Sequence, residues 1–196
     1  ARPGKAGRGQ AGLGKAGLGR ARQGKAGVES RDVLYAPKKK INGEGTEMTD
    51  AKLLTLNSEW LWSLCIRSRD RFICQLHGKD HLKCAGGLQA AHIVTRGVKG
   101  IKYELSNGKC LCNVHHKYYT HRVEFWCAIA ARLWPNEWAY LTNKKWQEPS
   151  FDLDREAIFE ELLLEAQKYK MEFVEYLPKI QEIERWWKKR NPVPVD

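Results

Sequence analysis

Seven cysteine and histidine side chains fall in two short stretches: Cys74, His77, His81 and Cys84 in CQLHGKDHLKC, and Cys112, His115 and His116 in CNVHH. Thiolate and imidazole are the donors that zinc takes, four at a time and tetrahedrally. Cys112-x-x-His115 has the spacing at which a turn entering a helix aims two donors at one ion, so the first stretch must supply two more. Cys74 is the firm candidate. Its partner is either Cys84, the softer donor just ahead of a strand, or His77, which would make a tidier C-x-x-H pair; Cys84 is preferred. A lone C-x-x-H would read as a buried thiol beside a surface imidazole, but two groups bracketing one compact unit point to a closed structural site. Cys65, Cys110 and Cys127 read as reduced core thiols, and the lack of any C-x-x-C argues against dithiol redox chemistry.

Holding those donors together takes a small ββα unit. LQAAHIVT (88–95) reads as a strand, GVKGIKYELSNG (97–108) as a loop, KCLC (109–112) as a second strand, and Val114 to about Leu133 as a helix ended by Pro135. On that helix His116 lies about 100° round from His115 and so can face the groove next to the first strand, where His92 stands. Asn107 lies in the turn before the second strand, so His92, Asn107 and His116 read in order as H, N, H. Ahead of the unit, SEWLWSLCIRSRDRF is helical, with Ser58 as N-cap. Behind it, a long amphipathic helix starts near Asp152, with Pro178 near its end, and KIQEIERWWKKR forms a last helix. The fold class expected is α+β with little strand.

The net charge of +11 is uneven: residues 1–40 carry 11 Lys and Arg against 2 Asp and Glu. This stretch repeats GKAG at Gly4, Gly14 and Gly24 and has almost no large apolar side chains. Such a composition cannot bury enough surface to offset its ordering entropy, so residues 1–47 are expected to be a disordered basic tail. The first methionine is Met48, the expected start of the folded protein. No apolar run long enough for a membrane span and no secretory h-region is present in the sequence, so a cytoplasmic location is expected.

The combination LQAAHIVTR … NGKCLCNVHHKYYT closely resembles the HNH endonuclease family of the ββα-metal superfamily, in the zinc-containing branch common in phages and mobile elements. The resemblance covers about residues 58–127 and implies a nuclease domain over 48–135 with a helical extension over 136–196. It implies metal-dependent hydrolysis of DNA phosphodiesters, leaving 5′-phosphate and 3′-hydroxyl ends. His92 would be the general base, Asn107 would brace the loop or contribute to the metal site, and His116 would hold a catalytic Mg²⁺ or Mn²⁺. Cys74, Cys84, Cys112 and His115 would form the structural zinc frame. Arg96, Lys99, Lys102 and Lys117 are the candidate DNA contacts, with Arg96 the strongest. One position departs from the family: many members have Asp or His directly before the first histidine, where this chain has Ala91. Glu104 and His121 are the side chains considered as substitutes. The alternative function is a zinc-containing nucleic-acid-binding module without turnover.

Overall fold

The helix expected to open at Ser58 opens at Asp50 and runs to Arg69 as α1. Ser58 does not cap it; its buried hydroxyl donates to the Leu54 carbonyl at 2.8 Å, which is how a serine satisfies itself inside a helix. The computed structural model describes residues 48–147, 154–169 and 174–192. The tail expected to be disordered, 1–47, lies outside them.

After α1 the chain turns sharply through Arg71 and Phe72, both in the left-handed region at φ 54° and 52°. Such conformations cost non-glycine residues about 1 kcal/mol or more each. Here Phe72 stacks on Tyr176 at 5.7 Å, with the Arg67 guanidinium over both rings. Two strands follow, β1 (Leu88–His92) and β2 (Gly108–Cys112), antiparallel, from Leu88 opposite Cys112 to His92 opposite Gly108. β1 stops three residues short of the expected end because Asn107 takes over its pairing. Its carbonyl accepts from Ile93 N–H at 2.9 Å and its side-chain oxygen from Val94 N–H at 2.7 Å. Gly108 lets α1 lie directly on the hairpin: a Cβ there would meet Ile66 at 2.4 Å and Trp62 at 2.8 Å.

The single helix expected over 114–133 is two, α2 (Asn113–Thr120) and α3 (Val123–Leu133). Pro135 then opens α4 (Pro135–Gln147) as well as following α3, since the first helical position needs no N–H. The long C-terminal helix also divides. α5 (Arg155–Lys168) is capped by the Asp154 carboxylate, which accepts from the N–H groups of Glu156 and Ala157. Its expected continuation over 170–173 lies outside the described residues. A 3₁₀ turn at Val174–Tyr176 leads into α6 (Leu177–Arg190), with Pro178 in the first turn. The described residues are thus α+β, mostly helical with one two-stranded sheet. None of their helices is long and apolar enough to cross a membrane.

Two apolar cores organise these elements. In the first, Leu61, Leu64 and Ile66 of α1 pack with Phe159 and Leu162 of α5 and Ile180 and Ile183 of α6. The second joins Cys74 and Leu76 of the loop, Ala91 and Leu111 of the hairpin, Tyr119 of α2, Trp126 and Ala130 of α3, and Leu141 of α4. Apolar packing does not change at residue 135, because α4 shares a core with the hairpin.

Candidate metal centre and the cleft beside it

Cys74, Cys84, Cys112 and His115 converge, with all four ligand atoms within 4.8 Å of one another. Each arrives by a different device. Gln75 N–H donates to the Cys110 carbonyl at 2.8 Å, which lays the segment bearing Cys74 along β2. Cys84 comes on a loop whose Gly86 adopts φ +76°; a Cβ there would meet Asn113 Cβ at 2.8 Å. That close approach lets Gly87 accept from Asn113 N–H at 2.9 Å and Ala85 from Val114 N–H at 3.3 Å, satisfying the start of α2. Cys112 ends β2 and His115 lies in the first turn of α2. His77 stands beside the cluster, Nδ1 3.4 Å from Cys84 Sγ, but is not one of the four.

The donor set fits a tetrahedral thiophilic ion. Zinc bonds of about 2.3 Å to sulfur and ~2.0 Å to nitrogen set sulfur–nitrogen edges of about 3.5 Å. His115 Nδ1 lies 3.6 Å from both Cys74 Sγ and Cys84 Sγ, and 2.9 Å from Cys112 Sγ. The electrostatics agree. Desolvation and then the Cys74 and Cys112 sulfurs push the Cys84 thiol up to about 12. Burial opposes ionisation of Cys112 as well, but the His115 backbone and ring outweigh it and bring that thiol down to about 7. Ionised together, three sulfurs this close would repel one another, and a divalent cation would relieve them.

Behind the cluster stands a carboxylate. Asp80 Oδ1 lies 3.0 Å from His115 Nε2 and accepts from Leu82 N–H at 2.9 Å, while Oδ2 accepts from the Tyr119 hydroxyl at 2.8 Å. Burial works against the charged carboxyl, yet these donors hold it below its ordinary range. With Nε2–H given to Asp80, His115 presents Nδ1 to the three sulfurs, the arrangement in which a carboxylate fixes the tautomer of a metal-binding histidine. Sequence reasoning missed Asp80 and gave Tyr119 no role. The available signal was an acidic residue inside the ligand-bearing loop, between His77 and Cys84.

An open cleft of about 610 Å³ is lined by His92, His116, Arg96, Lys102, Trp126 and Trp138, among others. The His92 ring stacks on Trp62 at 4.1 Å, with the planes 14° apart, and its Nε2–H donates to the Lys102 carbonyl at 3.1 Å. Burial brings its pKa down to about 4, against a smaller opposing effect of the Lys102 carbonyl. His92 is therefore neutral at neutral pH, with Nδ1 carrying the lone pair. His116 bonds through Nδ1 to the Gln89 side-chain oxygen, and burial lowers its pKa too.

The remaining expected residues are dispersed. Asn107 is fully buried and donates to the carbonyls of Val94 and Ile101 at 3.1 and 2.9 Å. With its oxygen on Val94 N–H, its polar atoms brace the loop between the strands. Lys102 is held by Glu59 at 2.7 Å. Arg96 lines the cleft, whereas Lys99 and the exposed Lys117 do not. Ala91 is buried and offers no donor. Neither suggested substitute reaches the cleft wall: the Glu104 carboxylate is taken by Lys144 at 2.6 Å, and His121 is exposed beyond α2. Among the described residues no second group of three or more metal-binding side chains occurs. No protein-family model, curated protein or solved structure matches this chain.

Proposed function

We propose that this protein is a metal-dependent DNA endonuclease of HNH type, built on a structural zinc held by Cys74, Cys84, Cys112 and His115. The observation that carries the reading is the state of His92. Its ring is clamped by Trp62 and by the Lys102 carbonyl, it is neutral at neutral pH, and it lines an open cleft shared with His116 and Arg96. Those are the requirements for a base that takes a proton from water attacking a phosphodiester. Asn107 holds the loop carrying Lys102, and so holds the carbonyl that orients His92. Arg96 supplies a cation for a phosphate at the cleft mouth. With four protein donors the zinc is coordinatively closed and contributes cross-linking alone.

A hard divalent ion such as Mg²⁺ or Mn²⁺ would supply charge neutralisation on the phosphate and the leaving oxygen. His116 is the protein donor in reach of the cleft, and the other positions fall to phosphate and water. The thinness of this donor set, with Ala91 beside His92, favours a second reading: a zinc-held module that binds nucleic acid without turnover.

A plasmid-nicking assay separates the two. The parent protein should nick with Mg²⁺ or Mn²⁺ and not with EDTA. His92→Ala should be slower by ~10²–10⁴-fold with its zinc content unchanged. Because the base is neutral above a pKa of about 4, the acid limb of the rate should lie near pH 4, well below that of an ordinary imidazole. If the parent binds duplex DNA but nicks it with no divalent metal, the second reading takes its place.

A further inference from the structure

We infer that a second pocket, next to the cleft, binds a backbone phosphate of the nucleic-acid strand, and that Arg155 of the C-terminal helix α5 is one of its ligands. The choice of ligand rests on the nuclease reading above. The pocket has a volume of about 290 Å³, and its walls include four cationic side chains, Arg96, Lys99, Lys102 and Arg155, with no acidic one among the described residues. Elsewhere the fold pairs many of its cations: Lys109 with Glu137, Lys144 with Glu104, and Arg190 with both Asp50 and Glu156. Here only Lys102 is paired, with Glu59. Arg96, Lys99 and Arg155 are exposed and have no ion-pair partner among the described residues. The acids flanking Arg155 in sequence are engaged elsewhere, Asp154 in capping α5 and Glu156 with Arg190.

Three uncompensated cations facing one concavity raise its potential and gain nothing from burial. What offsets their repulsion is an anion, and two guanidinium groups suit phosphate oxygens in particular. The two helix hydroxyls of the wall, those of Thr55 and Ser58, both donate to carbonyls of their own helix. The pocket therefore recognises charge. It shares Arg96, Lys102 and Tyr103 with the cleft that holds His92, so its anion sits beside any phosphodiester bound there. That adjacency favours a second phosphate of one strand over a free ion.

The test is duplex binding by the full chain at a series of salt concentrations, with no divalent metal added. Arg155→Ala is an exposed substitution that should leave the fold intact. It should reduce the slope of log K against log salt by ~0.9, which at 0.1 M salt is about eightfold weaker binding relative to 1 M. Arg155→Lys should recover most of the slope. Lys188→Ala, an equal charge loss on α6 outside the pocket, should leave the slope unchanged. An unchanged slope in Arg155→Ala, or an equal fall in Lys188→Ala, overturns the inference. If the parent binds no DNA, the nuclease reading fails separately, and inorganic phosphate then decides the pocket on its own. Titrated into the parent, it should shift the amide resonances of Thr55 and Gly97, and this response should vanish in Arg155→Ala; unshifted parent amides overturn the site.

Discussion

The two cores of this protein are held by different physics. In the first, α1, α5 and α6 satisfy their own backbone hydrogen bonds, and burial of side chains such as Leu61, Phe159 and Ile183 drives them together. No metal donor other than the lone, buried Cys65 lies in that cluster, and burial pushes the Cys65 thiol up to about 12, so it stays a neutral core side chain. The second core covers two five-residue strands joined by long irregular segments. A two-stranded sheet is marginal in water on its own, and loops give little regular hydrogen bonding to spare. There a metal held by Cys74, Cys84, Cys112 and His115 would tie three loop and strand ends to one helix. Helices can rely on apolar area; a loop-rich unit needs a cross-link. The seam between them is α1, whose Arg69 reaches the carbonyls of Leu105 and Gly108, both at 2.6 Å.

Removing the cross-link should break this comparison most sharply. Structural zinc is worth on the order of 10 kcal/mol in apparent folding free energy. Cys112→Ser should lose the metal, which metal analysis should otherwise find at about one zinc per chain. Hydrogen exchange should then show loss of protection across 74–120, with the amides of α1 and α5 keeping theirs. A variant that retains both zinc and protection would remove the basis for treating the second core as metal-held. The converse variant acts on the other region. Phe159 is fully buried between α1 and α6, edge-on to Trp186 and tilted against Trp187. Phe159→Ala should cost about 3–5 kcal/mol in denaturant unfolding and still bind one zinc per chain. Loss of zinc from that variant would show that the two cores fold as one.

Sequence revealed the second core better than the first. Cys74, Cys84, Cys112 and His115 were legible because ligand chemistry restricts residue types, and the turn into a helix restricts spacing. The helical step from His115 turned His116 towards the first strand, and His92 and His116 do line one cleft. Helix boundaries were less legible because one residue type serves two purposes. Ser58 looked like a cap and is a buried back-bonded serine. Pro135 looked like a stop and also opens a helix. Least legible was everything set by long-range contact: Trp62 under the His92 ring, Arg155 beside Arg96, and Asp80 behind His115. No local pattern marks a residue whose partner lies 30 or more positions away in the chain.

Asp80 provides the smallest expected effect and the finest test of how the second core is built. It touches no sulfur of the cluster; it meets the His115 ring directly and also holds Leu82 N–H in the loop that carries Cys84. If its role is to hold the tautomer that turns Nδ1 towards the three cysteines, Asp80→Asn should retain four ligands of the right type while weakening their grip. Loss of such a supporting partner typically costs ~10–100-fold in metal affinity. Competition with a chromogenic chelator should show that decrease, with one zinc per chain still bound at saturation. Tyr119→Phe removes only the hydroxyl that braces Asp80 and should have a smaller effect in the same direction. The order of the two variants carries the argument. If Tyr119→Phe weakened zinc as much as Asp80→Asn, the hydroxyl that holds the carboxylate in place, and not the carboxylate's charge, would be what sets the grip of His115. If neither variant altered zinc affinity, the cysteines alone would set the grip on the ion, and the contact from Asp80 to His115 would be a by-product of folding.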